Sequence, residues 1–158
     1  MNQVQFFLSD ELATVNMGKS LAQVTKALDV PSLVVFLNGD LGAGKTTLTR
    51  GFVQGMGHTG NVKSPTYTIV EPYDLDPWQV FHFDLYRLSD PEELEYMGIR
   101  DYFNDKCCCF IEWPEKGTGL LAKEDLIVDM KYDNEQRRIT LTAVSDVGKN
   151  IIKNLKVE

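Results

Sequence analysis

Long apolar runs are missing from this chain of 158 residues. A membrane-spanning helix needs about 20 consecutive, mostly apolar residues, and no segment approaches that length. The beginning of the chain also lacks the charged and then apolar pattern of a secretory leader. We therefore expect no membrane attachment and a soluble, cytoplasmic chain.

Basic residues are also few compared with acidic ones. Lysine and arginine number 16 against 23 acidic residues, so the formal net charge is −7 and the isoelectric point is about 4.8. Nucleic-acid backbones are bound mainly through lysine and arginine contacts to phosphates. Such an acidic composition argues against direct binding of a nucleic acid by this chain. It does not exclude that the chain assists a basic partner that binds one.

The cysteine pattern excludes a disulfide framework and a zinc site. The three cysteines are consecutive, at 107–109, and neighbouring residues make poor disulfide partners. Zinc sites are usually marked by C-x-x-C pairs, which the chain does not have. We expect reduced cysteines that act as small apolar side chains on a buried strand.

The segment from Gly39 to Thr46 matches the phosphate-binding pattern GxxxxGK[ST] in full. It follows the apolar run 33–37 and precedes a helical pattern, which is the context that such a loop requires. In this motif backbone N–H groups and a helix N-terminus surround the phosphates, Lys45 reaches the β- and γ-phosphates, and Thr46 ligates Mg²⁺. We predict binding of a nucleoside triphosphate with Mg²⁺, and the absence of an Asn-Lys-x-Asp guanine motif favours ATP.

One domain spanning residues 1–158 is the expected organisation, since 43% hydrophobic residues in a chain of this length support a single core. Buried strands are predicted at 33–37 and 107–113, and antiparallel hairpins at 68–86 and 126–143. An apolar stripe along residues 17–28 predicts a helix. Together they predict a three-layer α/β P-loop NTPase fold, whose parallel core sheet is extended by antiparallel strands.

Hydrolysis needs a second metal ligand and a group that orients water, and two acids fit. Asp84 and Glu112 each follow four mostly apolar strand residues, and such strand-end acids accompany phosphate loops. One is expected to hold Mg²⁺, directly or through water, and the other to orient or deprotonate the attacking water. The sequence leaves open which acid does which.

Residues 64–67, Ser-Pro-Thr-Tyr, lie between the phosphate-loop helix and the first hairpin. Switch loops that sense the γ-phosphate and its Mg²⁺ occupy this place in many nucleotide-binding proteins. Thr66 is the candidate switch hydroxyl, and a simple proline turn is the alternative. His82, which alternates with two phenylalanines, fits a packed or partly exposed strand histidine better than a catalytic base.

Four segments together go beyond a generic phosphate loop. They are residues 39–47, 64–67, 82–88 and 111–115. In this order, and in a chain of this length, they resemble the TsaE (formerly YjeE) family of bacterial ATPases over nearly the whole chain. The last two segments are the specific ones, because generic kinases do not carry them.

The resemblance implies a Mg²⁺-dependent ATPase, weak by itself, that is required for threonylcarbamoyladenosine modification of tRNA at position 37. It implies two protein partners: TsaD, which performs the transfer, and TsaB, which scaffolds it. ATP hydrolysis would reset that complex after turnover. The chain would contact tRNA only indirectly, through the complex. The isolated chain is expected to be a monomer.

The resemblance also assigns roles to residues. Matching positions for ATP or ADP are Glu11 and Thr14 on the adenine side, and Gly42, Ala43, Gly44, Lys45, Thr46 and Thr47 on the phosphate side. Thr46 and Glu112 would ligate Mg²⁺, and Asp84 would complete the metal and water site. Thr66 would act in the switch.

Two other functions remain open. A small-molecule kinase shares the size and the loop, but it usually needs an arginine-bearing lid, and residues 114–124 contain lysine without arginine. A nucleotide-dependent binding module with negligible hydrolysis would use ATP to order the switch loop and the region around Trp113 for a partner.

Overall fold

A seven-stranded mixed sheet is the centre of the molecule. The computed structural model describes residues 2–39, 44–133 and 136–155. Along the sheet the order is β1-β7-β6-β2-β5-β4-β3. The strands are β1 (Gln3–Leu8), β2 (Leu33–Gly39), β3 (Val70–Leu75), β4 (Trp78–Asp84), β5 (Cys107–Glu112), β6 (Leu126–Asp133) and β7 (Gln136–Ala143).

The middle of the sheet is parallel and its flanks are antiparallel. Strand β2 pairs in parallel with β5 and β6, and β4 pairs in parallel with β5. The pairs β1–β7, β6–β7 and β3–β4 are antiparallel. This confirms the predicted α/β fold with a parallel core and antiparallel extensions. Because β2, β4 and β5 run the same way, their carboxyl ends meet at one edge, where open α/β sheets bind ligands.

Over the described residues, four α-helices flank the sheet: α1 (Glu11–Leu28), α2 (Lys45–Gly55), α3 (Glu92–Tyr96) and α4 (Asp146–Asn154). The Asp10 side chain caps α1 by accepting a hydrogen bond from the backbone of Ala13. The predicted apolar stripe is buried at Met17 and Leu21, but Leu28 is 37% exposed, so the stripe ends earlier than predicted. In the described ranges, no helix has both the length and the apolar character that crossing a bilayer requires.

The sheet buries a different set of side chains on each face, because residues alternate along a strand. On the face covered by α1 and α2, Phe52 packs against Phe110 with ring centroids 4.4 Å apart. On the opposite face, Phe83 and Ile111 pack with Leu94 of α3. The helix that follows the phosphate loop therefore lies against the even-numbered residues of β4 and β5.

Helices α1 and α2 cross in close backbone contact at two glycines. A Cβ atom on Gly18 would lie 2.2 Å from the carbonyl oxygen of Leu48. A Cβ atom on Gly51 would lie 2.1 Å from the carbonyl oxygen of Val15. Real Cβ atoms do not approach a carbonyl so closely, so this crossing requires glycine on both helices. It also sets the position of α2, which carries Lys45 and Thr46.

Two strands of the first hairpin are each two residues shorter than predicted at the end nearest the candidate acids. Strand β3 begins at Val70 instead of residue 68, because residues 65–68 form a turn in which the N–H of Ile69 donates to the Pro65 carbonyl at 2.8 Å. Strand β4 ends at Asp84 instead of residue 86, where the N–H of Tyr86 donates to the Asp84 carboxylate. The turn and the strand end lie beside each other.

The cysteines of β5 are free and buried, as predicted. Burial raises the pKa of the Cys108 thiol to about 12, and that of Cys109 well above its ordinary value. Since the thiolate is the reactive form, we expect these two thiols to react with a disulfide reagent at least about a hundredfold more slowly in the folded chain than in guanidinium. A colorimetric thiol assay measures this. Equal rates for folded and unfolded chain would contradict it.

Candidate functional site

The two candidate acids are neighbours at the carboxyl edge of the sheet. Asp84 and Glu112 pair in register at the ends of the parallel strands β4 and β5, and Leu37 of β2 pairs with Glu112 on its other side. Strand alternation places Val80, His82 and Asp84 on the face that α2 covers. The two acids are 8% and 5% exposed. The structure therefore brings together carboxylates that are separated in sequence.

Lys45 reaches the same place from the first turn of α2. Its side chain is buried, its Nζ donates to the Gly39 carbonyl at 2.9 Å, and it lies 3.7 Å from Oε1 of Glu112. Gly44 precedes it with φ of 103°, a left-handed conformation suited to glycine. The predicted phosphate contacts Gly42 and Ala43 lie outside the described residues.

Three of the described residues are polar neighbours of the Glu112 side chain. Besides Lys45, the hydroxyl of Thr46 lies 3.5 Å from Oε2, and Nε2 of His82 lies 2.7 Å from the same oxygen. Hydroxyl and carboxylate oxygens are the donors Mg²⁺ prefers, and this metal keeps several waters instead of requiring a full protein cage. Within the described ranges, no group of three or more His, Cys, Asp or Glu side chains forms a metal cage. The donor set fits Mg²⁺.

The candidate switch residue contacts the other acid. The Thr66 hydroxyl donates to Oδ2 of Asp84 at 3.4 Å and lies 2.8 Å from the Ser64 hydroxyl. Oδ1 of Asp84 accepts the backbone N–H of Tyr86 at 3.0 Å. The turn at residues 65–68 therefore places the Thr66 hydroxyl next to the Asp84 carboxylate at the end of β4, in addition to reversing the chain.

A cavity of about 260 Å³ opens beside Lys45. Its wall is lined by Leu37, Asn38, Gly39, Lys45, Trp113 and Glu115. Trp113 follows Glu112 with φ of 58°, so the chain turns sharply where β5 ends. Its ring lies with its centroid 5.4 Å from the Lys45 ammonium and 5.1 Å from the Tyr86 ring. The lining of this cavity thus includes the ammonium group of Lys45 and the aromatic ring of Trp113.

The two adenine-side candidates lie on the first turn of α1. Glu11 forms an ion pair with Arg50 of α2 at 2.7 Å, and this contact lowers the pKa of the Glu11 carboxyl. Thr14 is fully buried; its hydroxyl donates to the Asp10 carbonyl at 3.2 Å and accepts from Arg137 at 3.3 Å. Their contact with adenine stays a prediction.

The prediction that His82 is a packed strand residue is confirmed, since it is 0% exposed, but its contact with Glu112 and the place of Arg137 were not predicted. Arg137 of β7 lies beside the end of the phosphate loop, since a Cβ atom on Gly44 would be 3.2 Å from its side chain. No sequence signal distinguishes it, because a hairpin arginine usually faces solvent. For His82 a signal existed: its place on β4 two residues before Asp84 puts both side chains on one face.

Known proteins of one family are similar to this chain. The family model of the threonylcarbamoyl adenosine biosynthesis protein TsaE matches residues 8–140. The chain is similar to the tRNA threonylcarbamoyladenosine biosynthesis protein TsaE of Haemophilus influenzae, with 53% identity over 96% of this chain and 97% of that protein. It is also similar to the Bacillus subtilis protein of the same name, with 41% identity over 81% of this chain and 80% of that one.

A solved structure supports the same relationship. The crystal structure of YdiB from Bacillus subtilis superposes with a TM-score of 0.78 and 31% sequence identity, and the match covers 96% of this chain and 92% of that one. Identity above 30% over almost the full length, together with the family match, makes the relationship one of family and not of fold alone. The chain belongs to the TsaE family of threonylcarbamoyl adenosine biosynthesis proteins.

Proposed function

We propose that the chain is a Mg²⁺-dependent ATPase that works in threonylcarbamoyladenosine modification of tRNA at position 37. In this proposal it acts with TsaD and TsaB, and hydrolysis resets their transfer complex after each turnover. The names of its relatives support the pathway. The hydrolytic activity, the metal and the partners are the proposed elements.

The observation that carries the proposal is the convergence of Lys45, Asp84 and Glu112 at one edge of the sheet. A cation for phosphate oxygens and two carboxylates for metal and water are the parts that phosphoryl transfer to water needs. Structural acids at strand ends are normally solvated, whereas these two are buried against the phosphate-loop helix. Burial of like charges is costly, so their presence together favours a functional role.

Each residue has a distinct task. Thr46 and Glu112 would hold Mg²⁺, which, when bound, neutralises charge on the phosphates and orients them for in-line attack. Lys45 would leave the Gly39 carbonyl and bind phosphate oxygens. Asp84, held by Tyr86 and Thr66, would align the attacking water and accept its proton, and the Thr66 contact would couple that step to the switch turn.

The acidic composition fits a role without direct tRNA binding. A net charge of −7 opposes association with a phosphate backbone, so the partner proteins would contact the tRNA. The cytoplasmic location and the monomeric state predicted from the sequence stay predictions.

Phosphate release tests the proposal. We expect slow ATP hydrolysis by the chain alone, clear stimulation by TsaD and TsaB together, and loss of the stimulated turnover by at least about a hundredfold in Glu112→Ala, since that change removes a metal ligand. Glu112→Ala should still bind the partner proteins in a pull-down. The control is Glu95→Ala, which removes a solvent-exposed carboxylate on α3.

Two results would favour the rival functions. Stoichiometric transfer of phosphate to a metabolite would indicate a kinase. ATP-dependent binding to the partner proteins with no turnover in the mixture, for the wild-type chain, would indicate a nucleotide-dependent binding module.

A further inference from the structure

A buried histidine contacts Glu112 without reaching the cavity. His82 is 0% exposed on β4, where it lies in register between Glu71 of β3 and Phe110 of β5. Its Nε2 is 2.7 Å from Oε2 of Glu112. Its Nδ1 has no hydrogen-bond partner in the described part of the chain. Among the residues that the structure describes, the one polar contact of this ring is therefore to the carboxylate.

The contact determines which ring nitrogen carries hydrogen. An ionised carboxylate only accepts hydrogen bonds, so Nε2 of His82 must be the donor. Hydrogen on Nδ1 would bury a donor with no acceptor, which costs free energy. Hydrogen on Nε2 and none on Nδ1 satisfies both conditions.

This donor makes the two oxygens of Glu112 inequivalent. Oε2 lies next to the His82 ring and the Thr46 hydroxyl, whereas Oε1 lies toward the Lys45 ammonium. The carboxylate of a residue at a strand end can rotate. A short hydrogen bond from a buried, immobile ring removes this freedom. Buried groups that hold a metal-ligating side chain act in this way in many metal sites.

We propose that His82 is a positioning residue, which rests on the proposed ATPase function and sets the orientation of the Glu112 carboxylate for its metal-binding role. It does not touch nucleotide or water, because its side chain has no exposed surface. Its effect passes through Glu112. A packing role alone would need only an apolar side chain of similar size, as at Val80 one step earlier on the same face of β4.

Two substitutions separate positioning from packing. The side-chain amide of glutamine can place an N–H near the position of the histidine Nε2, whereas leucine fills the space without a donor. In the complex with TsaD and TsaB, we expect His82→Leu to lower kcat by about 10-fold to 100-fold and to raise the Mg²⁺ concentration for half-maximal rate. We expect His82→Gln to keep kcat within about threefold of the wild type, with KM for ATP little changed in both.

The control is His58→Gln, which alters the other histidine of the chain, a residue that contacts the Asn61 carbonyl away from the acids. Melting temperatures of all variants show whether they fold. Wild-type kcat and Mg²⁺ dependence in His82→Leu would overturn the proposal. So would equal losses of kcat in His82→Leu and His82→Gln, because a donor at this position would then make no difference.

A spectroscopic measurement tests the contact without relying on turnover. Long-range ¹H–¹⁵N correlation of the histidine rings should show hydrogen on Nε2 of His82, and the ring signals should shift in Glu112→Gln; His58→Gln supplies the assignment. Hydrogen on Nδ1 would overturn the proposal. If the wild-type chain hydrolysed no ATP with its partners, the proposed function would fail, and this measurement would still decide the His82–Glu112 contact.

Discussion

Replacing Lys45 by alanine is expected to weaken binding of Mg²⁺-ATP by at least about a hundredfold, which corresponds to about 2.7 kcal/mol. The ammonium group is buried at the first turn of α2, where its charge acts in a less polar medium than water. It also lies 3.7 Å from Glu112. Without it, the carboxylates of Asp84 and Glu112 would lose the ammonium group that offsets their negative charge beside the phosphates.

Titration calorimetry at fixed ionic strength measures this loss. Lys19→Ala is the matched control, because it removes an exposed lysine on α1 and should leave the affinity unchanged. The Lys45→Ala chain must first show a cooperative melting transition, since the change also removes the hydrogen bond to the Gly39 carbonyl. Wild-type affinity in a folded Lys45→Ala chain would show that the phosphate loop is not the nucleotide site.

Replacing Gly18 by alanine is expected to destabilise the fold by about 2 kcal/mol. In an exposed helix interior alanine is more stable than glycine by up to about 1 kcal/mol. Only the close crossing with α2 makes the Gly18→Ala change destabilising. The added methyl would lie 2.2 Å from the Leu48 carbonyl oxygen and 2.7 Å from the backbone nitrogen of Phe52. Backbone atoms cannot turn aside as a side chain can, so the helices must separate.

Thermal unfolding followed by circular dichroism measures the change. For a chain of this size about 2 kcal/mol lowers the melting temperature by roughly 4–8 °C. Gln23→Ala is the control on the exposed side of α1, and it should leave the melting temperature nearly unchanged or slightly raised. A Gly18→Ala chain as stable as the wild type would mean that α1 and α2 are not packed at this distance.

The order and type of the elements were well predicted because each has a strong local pattern. The apolar run 33–37 is buried on both faces of β2 apart from half-buried Phe36, as its composition predicted for a central parallel strand, and both hairpins are present. The ends of the elements were less well predicted. Strand β1 begins at Gln3, three residues before the apolar run at 6–8, because pairing with β7 and not hydrophobicity sets its length.

The relation between Asp84 and Glu112 illustrates the limit for the site. Each acid has the local pattern of a strand end, but their adjacency depends on the parallel register of β4 and β5. The contact of Thr66 with Asp84 likewise depends on a turn held by a backbone hydrogen bond to Pro65. These distances arise between segments far apart in sequence, where periodicity carries no information.

Local sequence was sufficient for the phosphate loop, the alternation of strands and helices and the types of side chain that the chemistry needs, since these follow from backbone preferences and spacing over a few residues. The pairing of His82 with Glu112, the place of Arg137 beside Gly44 and the glycine crossing of α1 with α2 came from the assembled sheet and its helices. Strand register and helix packing bring distant residues within a few ångströms, and they result from the summed burial of the whole core.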